Sequence, residues 1–148
     1  MHTVKHDLRG KLWCGPAALS AITGLPTSAV RNAVQDLRHN VRPVQSLSGS
    51  EALRVLEHLG FGAHCLYSRD MYSTDFSTPT LVQFQRCWRN YLNEPYPVLV
   101  NITGHFVVLQ DNAFLDSWTK VPVPFADAGA RVRRKHVDSA WQIFYRPT

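Results

Sequence analysis

The stretch PVLVNITGHFVVLQDNAFLDSW, residues 97–118, decides the fold class. It holds three short apolar runs, at 97–102, 105–110 and 114–118. Thr103-Gly104 separates the first pair and Asp111-Asn112 the second. Short β-branched and aromatic runs divided by turn dipeptides predict a meander of antiparallel strands. The alternation inside the second run puts Phe106 and Val108 on one face, and His105 and Val107 on the other. A last strand is predicted over 141–145.

Upstream of this meander the period is helical. Pro16 follows Cys14-Gly15, an apolar segment runs to Ile22, and Gly24 closes it, the expected order of proline and glycine around a helix. Leu25-Pro26 breaks the chain. Thr27 or Ser28 then caps a second helix reaching about Leu37, with Val30, Val34 and Leu37 on one face. Residues 40–47 are irregular. Ser48 and Glu51 have the spacing of a capping box and open a third helix along Leu53, Leu56 and Leu59, with Gly60 as its stop. Residues 61–67 read as a strand. Thr78-Pro79 starts a fourth helical pattern through Leu81, Phe84, Trp88 and Leu92, ended by Glu94-Pro95. The Pro-rich, basic segment 120–138 shows no period. Helices followed by strands predict an α+β domain spanning residues 1–148.

The chain has 148 residues, enough to bury ~70% of its unfolded surface in one core. Hydrophobic residues make up 45% and charged residues 18%, which excludes a disordered chain or a coiled coil. No run approaches the roughly 18 apolar residues of a membrane span. The N-terminal charges are not followed by an apolar run of ~7–15 residues, so no secretory signal is visible. The expected location is the cytoplasm or a phage particle. The three cysteines, Cys14, Cys65 and Cys87, are too few and odd in number for a disulfide framework, and they suit a reducing compartment. A net charge of +5 suits an anionic partner. No nucleic-acid motif accompanies it, so nucleic acid is not the expected partner.

Cys14 stands where a helix begins. Unpaired N–H groups and the helix dipole there favour a thiolate, the reactive form. A thiolate nucleophile needs a base that takes its proton and later returns it. His105, at the start of a strand, is the candidate. The hairpin through Asp111-Asn112 brings Asp116 back beside His105 on the same face, where a carboxylate holds the imidazole and favours its charged form. Asp111 is the rival, but its turn position suits local hydrogen bonding. Leu12-Trp13 offers a cleft wall, and Gly15 allows close approach of a backbone or substrate.

Other features have blander readings. His2, His6 and Asp7 mimic a metal site at helical spacing, but the N-terminus is expected to fray, and no metal or cofactor is expected. Cys65 and Cys87 read as structural. Arg131, Arg133, Arg134, Lys135 and His136 read as an edge strand with outward charge. The sharper reading makes them a docking patch for an anionic cell-wall polymer or a larger assembly. Phe84, Trp88 and Leu92 read as core.

The motifs Trp13-Cys14-Gly15-Pro16-Ala17-Ala18-Leu19, Gly104-His105-Phe106-Val107-Val108-Leu109 and Asp116-Ser117-Trp118, in that order, resemble the papain-like cysteine peptidases. The similarity is greatest to their small bacterial branch, which includes the bacteriocin-processing domains that cut after double-glycine leaders. It reaches the Thr23-Gly24-Leu25-Pro26 break and the 48–60 helix, and so covers most of the chain to Trp118. The resemblance implies N-terminal helices packed on a C-terminal antiparallel sheet, with a cleft between. It implies Cys14 as nucleophile, His105 as general base and acid, and Asp116 as orienter. Trp13, Gly15, Gly104 and Lys11 are the expected binding residues, and a peptide or protein the expected substrate.

One departure stands out. The family usually places a Gln about six residues before the nucleophile as oxyanion donor, and residues 6–11 contain none. The N–H of Cys14 is one substitute; Lys11, Arg9 or His6 is a second. Losing such a donor typically costs ~10²–10³ in rate. Three activities therefore stay open from sequence: a processing peptidase, a bacterial or phage peptidoglycan amidase or endopeptidase on the same fold, and a structural or assembly protein that lost the chemistry.

Overall fold

The computed structural model describes residues 1–71 and 78–146. Three helices come first: α1 (Cys14–Thr23), α2 (Thr27–Arg38) and α3 (Gly49–His58). Strand β1 (Phe61–Ser68) follows, then α4 (Leu81–Cys87) and α5 (Arg89–Leu92). The meander is β2 (Val98–Ile102), β3 (His105–Gln110) and β4 (Ala113–Leu115), extended by β5 (Val123–Pro124). Helix α6 (Ala130–Arg133) and β6 (Val137–Tyr145) complete the chain. The six strands form one sheet in the order β1-β6-β2-β3-β4-β5, every neighbouring pair antiparallel.

Helix α1 is the inner helix of the N-terminal part. Every residue from Gly15 to Ile22 is buried. A helix apolar on all sides must be covered on all sides, and Gly15, Ala17, Ala18 and Ala21 keep this one slim enough for that. Gly24 ends it at φ 77°, its N–H donating to Ser20 O, as a left-handed glycine cap does. Helix α2 starts differently from expectation. Neither Thr27 nor Ser28 is the capping residue; Pro26 occupies that position and supplies no side-chain bond. Asp7 caps from a distance instead, accepting the Ser28 N–H at 2.8 Å and the Thr27 hydroxyl at 3.2 Å. The Ser48–Glu51 capping box of α3 is complete in both directions. Its buried face centres on Ala52, Val55 and Leu56, with Leu53 and Leu59 at the margin.

The fourth helical pattern begins at Thr80, not at Thr78-Pro79, because Thr80 and Gln83 form a second capping box. It breaks at Trp88, whose φ of −104° and ψ of 22° lie off the helical basin, giving α4 and α5. Phe84 and Leu92 are core as predicted, with Trp88 stacked on Phe84. Segment 120–138, without a readable period, contains β5 and α6. Arg131 and Arg133 lie in α6, which corrects the edge-strand reading. An apolar residue between two arginines fits one turn of helix as well as a strand, and Val132 is buried from the helix. The true edge on that side is β1, while β6 runs between β1 and β2.

Helices cover both faces of the sheet. On one face α1, α2 and α3 pack on Leu99, Phe106, Val108, Leu115 and Ile143. On the other, α4, α5 and α6 meet Val98, Val100, Val107, Leu109 and Phe114. Each fully buried Leu or Val contributes ~1.5–3 kcal/mol relative to exposure. The N-terminus is tied rather than frayed: His2 N donates to Ala21 O and Val4 N to Lys120 O, and Val4 is buried.

Candidate active site

The structure brings Cys14, His105 and Asp116 together. Cys14 is the first residue of α1, half-buried. Trp13 precedes it in extended conformation and gives the helix no side-chain cap, and the first turn carries no acidic residue. The positive end of α1 is thus left for the thiol itself. Burial works against a Cys14 thiolate. A hydrogen bond to His105, the N–H groups of Phe106 and Gly15, and the charge of His105 outweigh it, and the thiol titrates below its ordinary value.

His105 is placed by the turn before it. Thr103 and Gly104, at φ 40° and 78°, are both left-handed. Two consecutive positive φ values give the tight hairpin turn that matches the twist of a sheet. His105 then pairs with Ile102 across β2–β3. The histidine is 9% exposed. Its Nε2 lies 3.3 Å from Asp116 Oδ2, which leaves Nδ1 for Cys14. Burial disfavours its charged form. The hydrogen bonds and charges of Asp116 and Cys14 overcome this and raise the imidazole to about 9.

Asp116 is 2% exposed. It follows β4 in the turn beyond the strand, one residue past the Val108–Leu115 pair. That position keeps the face predicted for it and frees its backbone to curl around the carboxylate. Oδ1 accepts the N–H groups of Trp118 and Thr119, both at 2.9 Å, while Oδ2 faces His105. Desolvation raises its pKa, but the His105 bond and these two N–H groups outweigh it, so the net shift is downward. The rival Asp111 sits in the hairpin turn at φ 53°, exposed, with its N–H on Leu92 O.

Trp118 was quoted from sequence only as part of a motif. Its ring stacks on His105, centroids 4.7 Å apart at 20°, and it is 69% exposed. It covers one face of the His105 ring. Thr119 was missed too; its hydroxyl accepts from Asp116 N at 3.1 Å. The Asp-x-x-Thr spacing at 116–119 was the available signal, since such side chains bond to backbone a few residues away.

The expected binding residues divide. Trp13 stays at the cleft wall. Lys11 Nζ lies 4.2 Å over the Trp13 ring. Gly15 is buried under Leu47: an added Cβ would stand 2.9 Å from Leu47 Cδ1, so the close approach it allows is to the core and not to a substrate. Gly104 serves the turn and has open space around it. Of the expected oxyanion donors, His6 is engaged through both ring nitrogens, to Thr27 Oγ1 at 3.1 Å and Gly10 O at 3.2 Å. The N–H of Cys14 heads the helix and has no acceptor inside it. Because His6 and Asp7 both serve the start of α2, neither is poised as a metal ligand. Cys65 and Cys87 lie exposed on the surface, not in interior packing.

The chain has the papain-like fold. The solved peptidase domain of Streptococcus ComA, a bi-functional ABC transporter involved in quorum sensing, is similar over 100% of both chains, with a TM-score of 0.59 at 13% identity. No family model matches the sequence, and no curated protein does. Among the described residues, no helix is long and apolar enough to cross a membrane.

Proposed function

We propose that the protein is a cysteine peptidase in which Cys14 is the nucleophile, His105 the base and acid, and Asp116 the orienter. The observation that carries this reading is the buried His105–Asp116 pair meeting a thiol at a helix N-terminus. The similarity to a peptidase domain supports a peptide bond as the target.

His105 takes the Cys14 proton, giving a thiolate–imidazolium pair. The thiolate attacks the scissile carbonyl carbon, and the carbonyl oxygen becomes an oxyanion facing the Cys14 N–H. His105 then gives its proton to the leaving amine as the C–N bond breaks, leaving a thioester on Cys14. Water, deprotonated by His105, hydrolyses the thioester and restores the thiol. Asp116 keeps the ring oriented and its charged form favoured throughout.

The test is the rate of iodoacetamide alkylation against pH, with the labelled cysteine mapped by mass spectrometry, in the intact protein and in His105→Ala. Fast labelling of Cys14 well below the free-thiol range near ~8.5, lost in His105→Ala, is expected. Slow labelling that rises only in that range and ignores His105 would sink the reading.

A further inference from the structure

The sheet face turned away from α1 and Cys14 is covered by three short helices, α4, α5 and α6. Leu81, Phe84, Leu92 and Val132 point inward from them and are buried. The first and last of these helices are tied together: Leu81 N donates to Lys135 O at 2.8 Å, and Thr80 bridges to His136. The outward side is cationic. Arg86 stands on α4, Arg89 on α5, and Arg131, Arg133, Arg134 and Lys135 follow one another through α6 and its end. Arg86, Arg89, Arg131 and Arg134 are exposed, and Arg133 and Lys135 are half-buried.

Among the described residues none of these cations is in an ion pair. The carboxylates of the same segments do not balance them. Asp138 is paired with Arg69 at 3.3 Å, and Glu94 accepts from Gln142 at 3.0 Å. Asp70 and Asp127 are exposed and outnumbered. Arg133 adds a second sign: its Nε is buried and, among the described residues, has no hydrogen-bond partner. A guanidinium with an unanswered buried N–H is short of acceptors, so it has less hydration to give up when an oxyanion arrives. All of these cations but Lys135 are arginines, whose planar fork fits two phosphate oxygens at once.

Shape decides which phosphates these are. The clefts of about 580 and 610 Å³ lie elsewhere, beside α2 and at the 110–113 turn. Helices α4, α5 and α6 have 7, 4 and 4 residues, too short to lie along a major groove. A single strand would need a row of aromatic platforms. Trp88 is committed to Phe84, which leaves Tyr91, 41% exposed. A lone tyrosine among arginines suits the headgroup level of a bilayer instead. We propose that the α4–α6 face docks on a bilayer rich in anionic phospholipid, with Arg86, Arg89, Arg131 and Arg134 on the headgroup phosphates and Cys14 on the side turned away. The proposal does not rest on the peptidase reading.

The test is co-sedimentation with vesicles of phosphatidylcholine alone, and of phosphatidylcholine with an equal part of phosphatidylglycerol. Binding to the second alone is expected, and it weakens as salt rises. Arg131→Gln/Arg134→Gln is expected to lower the partition coefficient about fivefold for each charge removed, and Arg131→Lys/Arg134→Lys to keep most of it. Should the Gln pair melt below the parent, Arg86→Gln/Arg89→Gln on the neighbouring helices carries the same expectation. Arg9→Gln/Arg31→Gln, beside α2, keeps the parent's partition. Iodoacetamide footprinting with mass-spectrometric mapping reads the orientation. On vesicles Cys87, exposed next to Arg86, is protected, and Cys14 keeps its rate. Equal sedimentation with both kinds of vesicle, or with neither, overturns the proposal. So does binding that both Gln pairs leave intact, or a footprint that protects Cys14 and spares Cys87. Binding of a fluorescein-labelled DNA or RNA by protein that ignores the phosphatidylglycerol vesicles would assign the face to nucleic acid and overturn it equally.

Discussion

The two walls of the site are held by opposite means. On the sheet wall the two side chains are already engaged: Asp116 takes two backbone N–H groups and His105, and Trp118 covers the imidazole. On the helix wall the opposite holds. Trp13 offers α1 no side-chain cap, and the first turn has no carboxylate. The difference separates two tasks. Orientation needs groups that are already bonded, whereas charge stabilisation needs groups left free until an anion arrives.

The sharpest way to break this comparison is to remove one group from each wall. Cys14→Ala is expected to lower cleavage of any peptide substrate by on the order of 10⁴–10⁶, with a melting temperature close to that of the parent. A large loss of stability would mean that the thiol is a packing element after all. Asp116→Ala should damage both properties. A loss of ~10²–10⁴ in rate is expected, along with ~1–3 kcal/mol of stability from the two N–H groups left unpaired. Activity kinetics and urea unfolding on the same preparation check the pair. Equal stability of the two variants would erase the distinction between the walls.

A third test uses pH. The folded-state pKa of His105 is raised from 6.5 to about 9, so its contribution to stability is complete below 6.5 and is lost as pH rises through 9. Asp116 is shifted down from 3.8, so its contribution is present above that value and lost as pH falls through the depressed one. The stability difference between the parent and Asp116→Asn should therefore be widest between about pH 4 and 6.5 and shrink toward alkaline pH. Urea unfolding across that range measures it, and a difference that grows above pH 9 would reverse the assigned sign. The smallest effect is expected for Trp118→Ala. A stacked ring contributes ~0.5–1.5 kcal/mol beyond its buried area, and much of this one is exposed. Rates should fall only about three- to tenfold, with the alkaline limb of the alkylation profile moving because one face of the His105 ring meets water. An unmoved limb would make Trp118 a bystander.

What could be read from the residues depended on how local the cause was. The Ser48–Glu51 box, the Gly24 stop and the Thr103-Gly104 turn are set within a few positions, and each was legible. So was the His105–Asp116 pairing, because strand alternation and a short hairpin fix the face. The Asp7 cap of α2 was not, since it bridges some twenty positions and leaves no mark on the helix it serves. Gly15 was misread for the same reason: the side chain that needs its missing Cβ, Leu47, comes from a distant loop. Segment 120–138 hid a helix because a single turn is too short to display a period.

The position of β6 has a consequence for how the molecule comes into being. Among the described strands, β1 has no neighbour in the sheet except β6. On a ribosome, β1 and the 98–115 meander emerge long before residues 137–145, and until those arrive the sheet exists as two unjoined parts. Folding is vectorial only up to that point; the closing strand arrives after the others and makes the sheet's longest-range pairings at once. Premature termination just before β6 removes the strand that joins β1 to the rest of the sheet. A nascent chain thus carries Cys14, His105 and Asp116 into the cell before the scaffold that holds them is complete.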